Sequence, residues 1–351
     1  MESKLVRLFV ATLVLILATS VVAAPRPKNV ILVIGDGMGL DHVTAARWIR
    51  GDKLQLLRMP VTGIVATHSA DDAVTDSAAS ASAYATGMKT NNRALSVDAN
   101  GNPRTTVLEV ANASGKATGV VTTTDIWDAT PAAFLSHSKD RYDDAQAIVQ
   151  QIISGKADVI LGGGSDLLGK GKFPSLAELK KSDRVVVTSR AELEATKARR
   201  VLGVFNTQPN DTEDPDAPLW VLAKWAIDRL SADPEGFFLL IENEGIDTAS
   251  HNHHSADVAR ALTEYDEALR VALDFAAARR DTLVIAVGDH ETGGLDICCE
   301  GGDEKGWRIE WSTPDHTGAS IPLFAFGPGS EAFAGYIDNT DVGRRLLSFV
   351  R

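Results

Sequence analysis

The stretch "NVILVIGDG", residues 29–37, decides the fold. From Val30 to Ile34 every position is Val, Ile or Leu, and Gly35 with Asp36 closes the run. A strand that is apolar on both faces belongs inside a parallel sheet covered by helices. Five further runs carry the same signature: "ATGVVTTTD" (117–125), "ADVILGGG" (157–164), "GFFLLIE" (236–242), "TLVIAVGDH" (282–290) and "IPLFAFG" (321–327). Between them "RYDDAQAIVQQIISG" (141–155), "APLWVLAKWAIDRLS" (217–231) and "SADVARALTEYDEALRVALDFAAARR" (255–280) show helical spacing. Strands alternating with helices predict an α/β fold, a three-layer αβα sandwich around a central, mainly parallel sheet. "NTQPNDTEDPDAP" (206–218) reads as a solvated loop and "CCEGGDEKGWRIEWSTPDH" (298–316) as an insertion near the end of the sheet.

The first 24 residues have a basic start at Lys4 and Arg7, an apolar run from Leu8 to Ala18, and small residues at Val21, Ala23 and Ala24. That is the layout of a secretory signal peptide, and the apolar run is short for a membrane span. An uncleaved anchor is the alternative. Residues 25–351 then form one large domain, expected in the periplasm or secreted. The formal net charge of −12 argues against nucleic acid or an anionic membrane surface as partner, because both demand a basic footprint. An acidic chain binds an anionic substrate only where bound cations reverse the local sign. The two cysteines, Cys298 and Cys299, are adjacent, a spacing poorly suited to a structural crosslink, so the core must hold the domain together.

In an open α/β sheet, ligands bind beyond the carboxyl ends of the strands. Asp36 ends the first run, Glu242 the fourth, and Asp289 with His290 the fifth, so three strands carry metal-competent side chains to one edge. "EGIDTASHNHH" (244–254) places Asp247 and His251 four apart, on one face of a helical turn, a pair suited to Zn²⁺. His253 and His254 read as exposed residues at the start of the next helix, capped near Ser255 and Asp257. His42, His68 and His137 read as ordinary surface histidines. "DSAASASAYATG" (76–87) reads as a small-residue helix, and nothing in it alone singles out Ser77.

Six motifs, in one order along nearly the whole mature length, resemble the alkaline phosphatases: "GDGMG" (35–39), "TDSAASASAYATG" (75–87), "DATPAA" (128–133) with Arg141 downstream, "IENEGIDTASH" (241–251), "GDHETGG" (288–294) and "DHTG" (315–318). The resemblance implies hydrolysis of phosphate monoesters through a phosphorylated Ser77. It implies one Zn²⁺ on Asp247, His251 and His316, and a second on Asp36, Asp289 and His290. Asp36 would bridge to a Mg²⁺ held by Thr130 and Glu242, with Asp128 acting directly or through a water. Histidines thus collect at the zinc sites, while the third set offers only hard oxygen, as Mg²⁺ prefers. Arg141 would hold two phosphoryl oxygens with its planar fork.

Two departures accompany the match. Thr248 stands where many relatives carry a larger basic or aromatic side chain near the phosphate. The chain is also shorter than many members and lacks their usual disulfides, so part of the larger enzymes' dimer surface is expected to be missing, although a homodimer is open to it. Two alternatives remain at this level: a phosphodiesterase or sulfatase of the same superfamily, and a non-catalytic periplasmic protein that binds metal or phosphate. "TDSAAS" lacks the local motif of a sulfatase, and a binding protein leaves the hydroxyl nucleophile and the arginine unexplained.

Overall fold

A computed structural model describes residues 26–206, 217–298 and 308–351. The segment 1–24, expected to be a signal peptide, and Cys299 lie outside them, as do most of the stretch 206–218 and residues 299–307. The described strands are β1 (Asn29–Gly35), β2 (Val61–Ala66), β3 (Ala117–Asp125), β4 (Val159–Gly163), β5 (Val185–Val187), β6 (Val201–Val204), β7 (Phe237–Asn243), β8 (Thr282–Gly288), β9 (Glu291–Thr292), β10 (Leu295–Cys298), β11 (Arg308–Trp311), β12 (His316–Thr317), β13 (Ile321–Phe326) and β14 (Gly335–Asp338). Ten of them form one sheet in the order β14-β2-β13-β8-β1-β7-β3-β4-β6-β5.

The opening stretch sits where its composition demands. β1 runs parallel between β7 and β8, with Ile34 opposite Glu242 and Gly35 opposite both Asn243 and Gly288. The three carboxyl ends therefore finish level. Val30, Leu32 and Ile34 point into one apolar core, Ile31 and Val33 into the other, and all five are fully buried. The long helix Ser255–Arg279 and the helix Leu219–Leu230 cover the Ile31/Val33 face. The helices Ser77–Thr86 and Asn339–Val350 cover the opposite face.

The small-residue composition of Ser77–Thr86 follows from this packing. All of it except Ser77 is buried, and the Asn339–Val350 helix crosses it closely. A Cβ at Gly343 would fall 2.2 Å from the Ala83 carbonyl oxygen. Larger side chains on either helix would force the two apart.

β13 runs antiparallel to both β8 and β2. After β8, β10 and β11 form an antiparallel pair and β12 pairs with β9 near the carboxyl ends of the parallel strands. The chain re-enters the sheet from that end, so β13 must run against its neighbours, and the detour leaves His316 beside the other strand ends. Within the insertion expected at 298–316, β11 thus pairs antiparallel with β10. Four strands of the sheet escape the apolar-run criterion. β5 is three residues long at an edge, β6 has four residues, and β2 and β14 are only partly buried.

Candidate active site

Ser77 is the first residue of its helix, and its placement is set by Asp76. The Asp76 backbone is extended, and its carboxylate accepts the Ala79 N–H at 2.8 Å and the Arg93 N–H at 2.8 Å. At the other end Gly87 closes the helix in the left-handed conformation, with φ +71°. The capped turn presents Ser77 Oγ 3.1 Å from Nε2 of His290.

The three histidines of the site share one hydrogen-bonding logic. His251 donates its Nδ1–H to the Pro314 carbonyl, and His316 donates its own to the Thr75 carbonyl at 3.0 Å. The Thr292 hydroxyl donates to Asp247, so at 3.1 Å it accepts the Nδ1–H of His290. Each ring therefore has its Nδ1 engaged by an oxygen and turns Nε2 inward, the nitrogen left to ligate a metal ion once it is free of a proton. Nε2 of His251 lies 3.2 Å from Asp247 and Nε2 of His316 lies 3.7 Å from it. Nε2 of His290 lies 3.2 Å from Asp36 and 3.3 Å from Asp289. The His290 and His316 rings stack with centroids 3.6 Å apart.

Two groups of ligand atoms converge to within 4.8 Å: Asp247, His251 and His316 in one, and Asp36, Asp247 and His290 in the other. The first is the zinc set implied by the resemblance. The second differs from it, because Asp247 takes part in both groups and Asp289 joins only through its approach to His290.

Buried oxygen atoms without hydrogen-bond partners mark the same place. Asp36 Oδ1, Asp289 Oδ2, Glu242 Oε1 and Thr130 Oγ1 are all buried and unpaired. Such atoms cost about 1–3 kcal/mol each unless something binds them. Burial, reinforced by the neighbouring carboxylates Asp289, Asp247 and Glu242, drives Asp36 well above the ordinary carboxyl range. Burial likewise lifts Glu242 to about 8 and Asp289 to about 7. Burial also opposes ionisation of Asp247, but its hydrogen bond to His251 and the surrounding imidazoles hold it below the usual range. The His251 ring is raised to about 9, chiefly by that hydrogen bond. Crowded carboxylates need cations, and the donor chemistry fits them: ring nitrogen and carboxylate at two positions, oxygen alone around Glu242 and Thr130.

Asp128 follows β3 and caps the helix Ala129–Leu135, accepting the Ala129 N–H at 2.7 Å. The same carboxylate accepts from the Thr124 hydroxyl at 2.9 Å and from Arg141 Nη1 at 2.8 Å. Both oxygens of Asp128 thus have protein donors. Arg141 lies close enough to Asp76 to feel its charge. Its Nε is buried without a hydrogen-bond partner. Thr248 donates its hydroxyl to Glu244, a carboxyl that burial and Asp247 push well up.

The remaining histidines divide. His68 and His137 are partly exposed, as expected of surface residues. His42 is fully buried: its Nδ1 accepts the Gly39 N–H at 3.2 Å, and its Nε2–H lies 2.9 Å from Ser250, whose own hydroxyl donates to Ile246. The surface reading of His42 is therefore corrected, and the reason is that it ties the loop after β1 to the helix Gly245–His251. His253 and His254 are exposed, with His253 stacked on Trp311 at 5.1 Å.

The sequence reading missed two supporting residues. Thr292 orients both Asp247 and His290, and its position two residues after His290 was the available signal, since alternate residues of an extended chain face the same side. Gly37 donates its N–H to Asp289 at 3.0 Å with φ +72°. A Cβ there would fall 2.9 Å from oxygens of Asp247 and Thr292.

A profile of the alkaline phosphatase family matches residues 27–309. The chain belongs to the alkaline phosphatase family. Alkaline phosphatase 4 of Bacillus subtilis is 32% identical to it, covering 92% of this chain and 89% of that protein. Alkaline phosphatase of Escherichia coli K12 is 30% identical over 90% of this chain and 84% of its own length. The solved alkaline phosphatase of the Antarctic bacterium TAB5 superposes with a TM-score of 0.84 at 29% identity, covering 93% of this chain and 98% of that one. Family and fold together identify a metal-dependent phosphomonoesterase with phosphate monoesters as its substrates. Among the described residues, no helix is long and apolar enough to cross a membrane.

Proposed function

We propose that this alkaline phosphatase transfers the phosphoryl group of a monoester to Ser77 and then to water. The observation that carries the reading is the set of buried, unpaired oxygens on Asp36, Asp289, Glu242 and Thr130: the first two carboxylates lie beside the His290 that meets Ser77, and Glu242 lies near enough to both to raise them or be raised by them. Two Zn²⁺ ions would be held by Asp247, His251 and His316 and by Asp36, Asp289 and His290, and a Mg²⁺ by Thr130, Glu242 and Asp36, with Asp128 acting directly or through a water. When bound, these ions supply charge neutralisation and a lowered hydroxyl pKa at the reacting oxygens.

The protein's own groups do the rest. Ser77 Oγ attacks phosphorus, the ester P–O bond breaks, and the alcohol departs with the bonding pair and gains a proton. Water then attacks the phosphoserine in line with the Ser77 Oγ–P bond, which breaks to return the hydroxyl and release phosphate. Arg141 holds phosphoryl oxygens through both steps, using the Nε edge that Asp128 leaves open. The positive end of the ten-residue helix Ser77–Thr86 favours the added negative charge. Residues 1–24 would direct the chain to the periplasm or the medium, and a homodimer is the assembly to test by sedimentation.

The experiment is an assay of purified protein on an aryl phosphate monoester, a diester and an aryl sulfate at alkaline pH, with and without chelator. Hydrolysis of the monoester that chelator abolishes, with phosphate trapped on Ser77 after acid quench, is the expected result. Preference for the diester or sulfate, or a trapped phosphate on Ser80 or Ser82, overturns the reading.

A further inference from the structure

We propose that Tyr142 is the positioning residue that fixes the Arg141 guanidinium for phosphate binding; the proposal rests on the role given to Arg141 above. A long arginine loses several rotatable bonds' worth of freedom when it grips an anion, and a guanidinium already held in place loses less. The structure surrounds Arg141 with such restraints. Nη1 is taken by Asp128 at 2.8 Å, and Nη2 donates to the Tyr142 hydroxyl at 2.7 Å. The guanidinium carbon also lies 4.7 Å from the centroid of the Tyr142 ring. Nε is buried and unpaired, and it shares an edge of the guanidinium with Nη2, the edge the proposal assigns to two phosphoryl oxygens.

Tyr142 is itself braced. Its N–H donates to Asp140 at 2.9 Å, and Lys172 Nζ donates to its carbonyl at 3.0 Å. Arg93 pairs with Asp140 at 2.9 Å and lies 5.0 Å from the same ring centroid. The Arg93 backbone ties this cluster to the nucleophile: its N–H donates to Asp76 at 2.8 Å and its carbonyl accepts the Arg141 N–H at 2.9 Å. Arg93 adopts φ +72°, an uncommon conformation for a residue with a side chain. Tyr142 therefore connects the arginine that grips the phosphoryl group to the turn that carries Ser77, although 55% of its own surface remains exposed.

The test compares Tyr142→Phe, Tyr142→Ala and Arg141→Ala with the unmodified metal-loaded enzyme. It measures the inhibition constant of inorganic phosphate, KM and kcat on an aryl phosphate, bound zinc and Tm. Tyr142→Ala loses a hydrogen bond to a charged group and a cation–π contact, and should weaken phosphate inhibition and raise KM in parallel by about three- to tenfold. Bound zinc should be unchanged and kcat should move less than KM. Tyr142→Phe, which keeps the ring, should recover part of that loss, a rescue that a purely structural role does not produce. Weakened inhibition in Arg141→Ala with wild-type values in both Tyr142 variants overturns this proposal and leaves the role of Arg141 intact. Unchanged inhibition in Arg141→Ala overturns both.

Discussion

Ser77 Oγ lies 3.1 Å from His290 Nε2, and the Nδ1–H of that ring is already given to Thr292. The hydroxyl at the helix mouth thus faces a ring nitrogen with a lone pair, and no other serine of its helix does. Ser80 donates instead to the Asp289 carbonyl at 2.7 Å and Ser82 to the Ala94 carbonyl at 3.3 Å. Ser77→Ala should abolish turnover and phosphoenzyme trapping while bound zinc and Tm persist. Ser80→Ala should keep trapping and lose about 1–2 kcal/mol of stability, the cost of one buried hydrogen bond, measured by denaturant titration.

Removal of the Thr292 hydroxyl should act on metal binding. Thr292→Val keeps the shape but withdraws a donor from Asp247 and an acceptor from His290. Zinc affinity should fall about ten- to a hundredfold, the usual cost of losing a group that orients a metal ligand. Competition with a chromophoric chelator reads this directly, and an unchanged affinity refutes it.

At Gly37 a methyl group has no room. Gly37→Ala combines a strained φ of +72° with a Cβ placed 3.0 Å from the Asp247 Cα. The variant should retain less than one tenth of the bound zinc, by about the same measure as above, and should melt earlier. Full zinc content by atomic absorption would contradict the close approach described here.

The metal-free protein should lose stability as pH rises. Glu242 and Asp289 titrate near 8 and 7 in the fold, and Asp36 is higher than normal, so the folded state holds protons that the unfolded chain has released. The His251 ring, raised to about 9, loses its contribution over the interval from 6.5 upward. His42 and His290, lowered by burial, act in the opposite sense only below 6.5. Above that value all these groups agree. Tm of the metal-free protein should therefore fall between about pH 6.5 and 9, and Zn²⁺ with Mg²⁺ should remove the slope by neutralising the carboxylates. A flat or rising profile without metal defeats the prediction.

Thr248→Lys should tighten inhibition by inorganic phosphate only slightly, because the Glu244 carboxyl that now accepts from Thr248 is placed to pair with the new ammonium. Glu244→Gln combined with Thr248→Lys should release that ammonium and tighten inhibition further, by about fivefold or more for one added charge-assisted contact. Equal inhibition constants in the two variants would show that Glu244 does not capture the lysine.

Much of this protein was legible in the chain. The double-faced apolar run from Val30 to Ile34 demanded a central parallel strand, because only burial on both sides suits such a run. Strand-end acids and histidines then had to meet at one sheet edge, and six motifs in order named the family and singled out the candidate residues. Other features came from tertiary structure alone. The direction of β13, the burial of His42, the sharing of Asp247 between two ligand groups and the support of Arg141 by Tyr142 all depend on where distant segments meet. Periodicity records which face of an element is apolar, a local property. Hydrogen-bond partners such as Ser77 and His290 lie 213 residues apart, and which lone pair faces which proton is settled only when the packed chain brings them within 3 Å or so of one another.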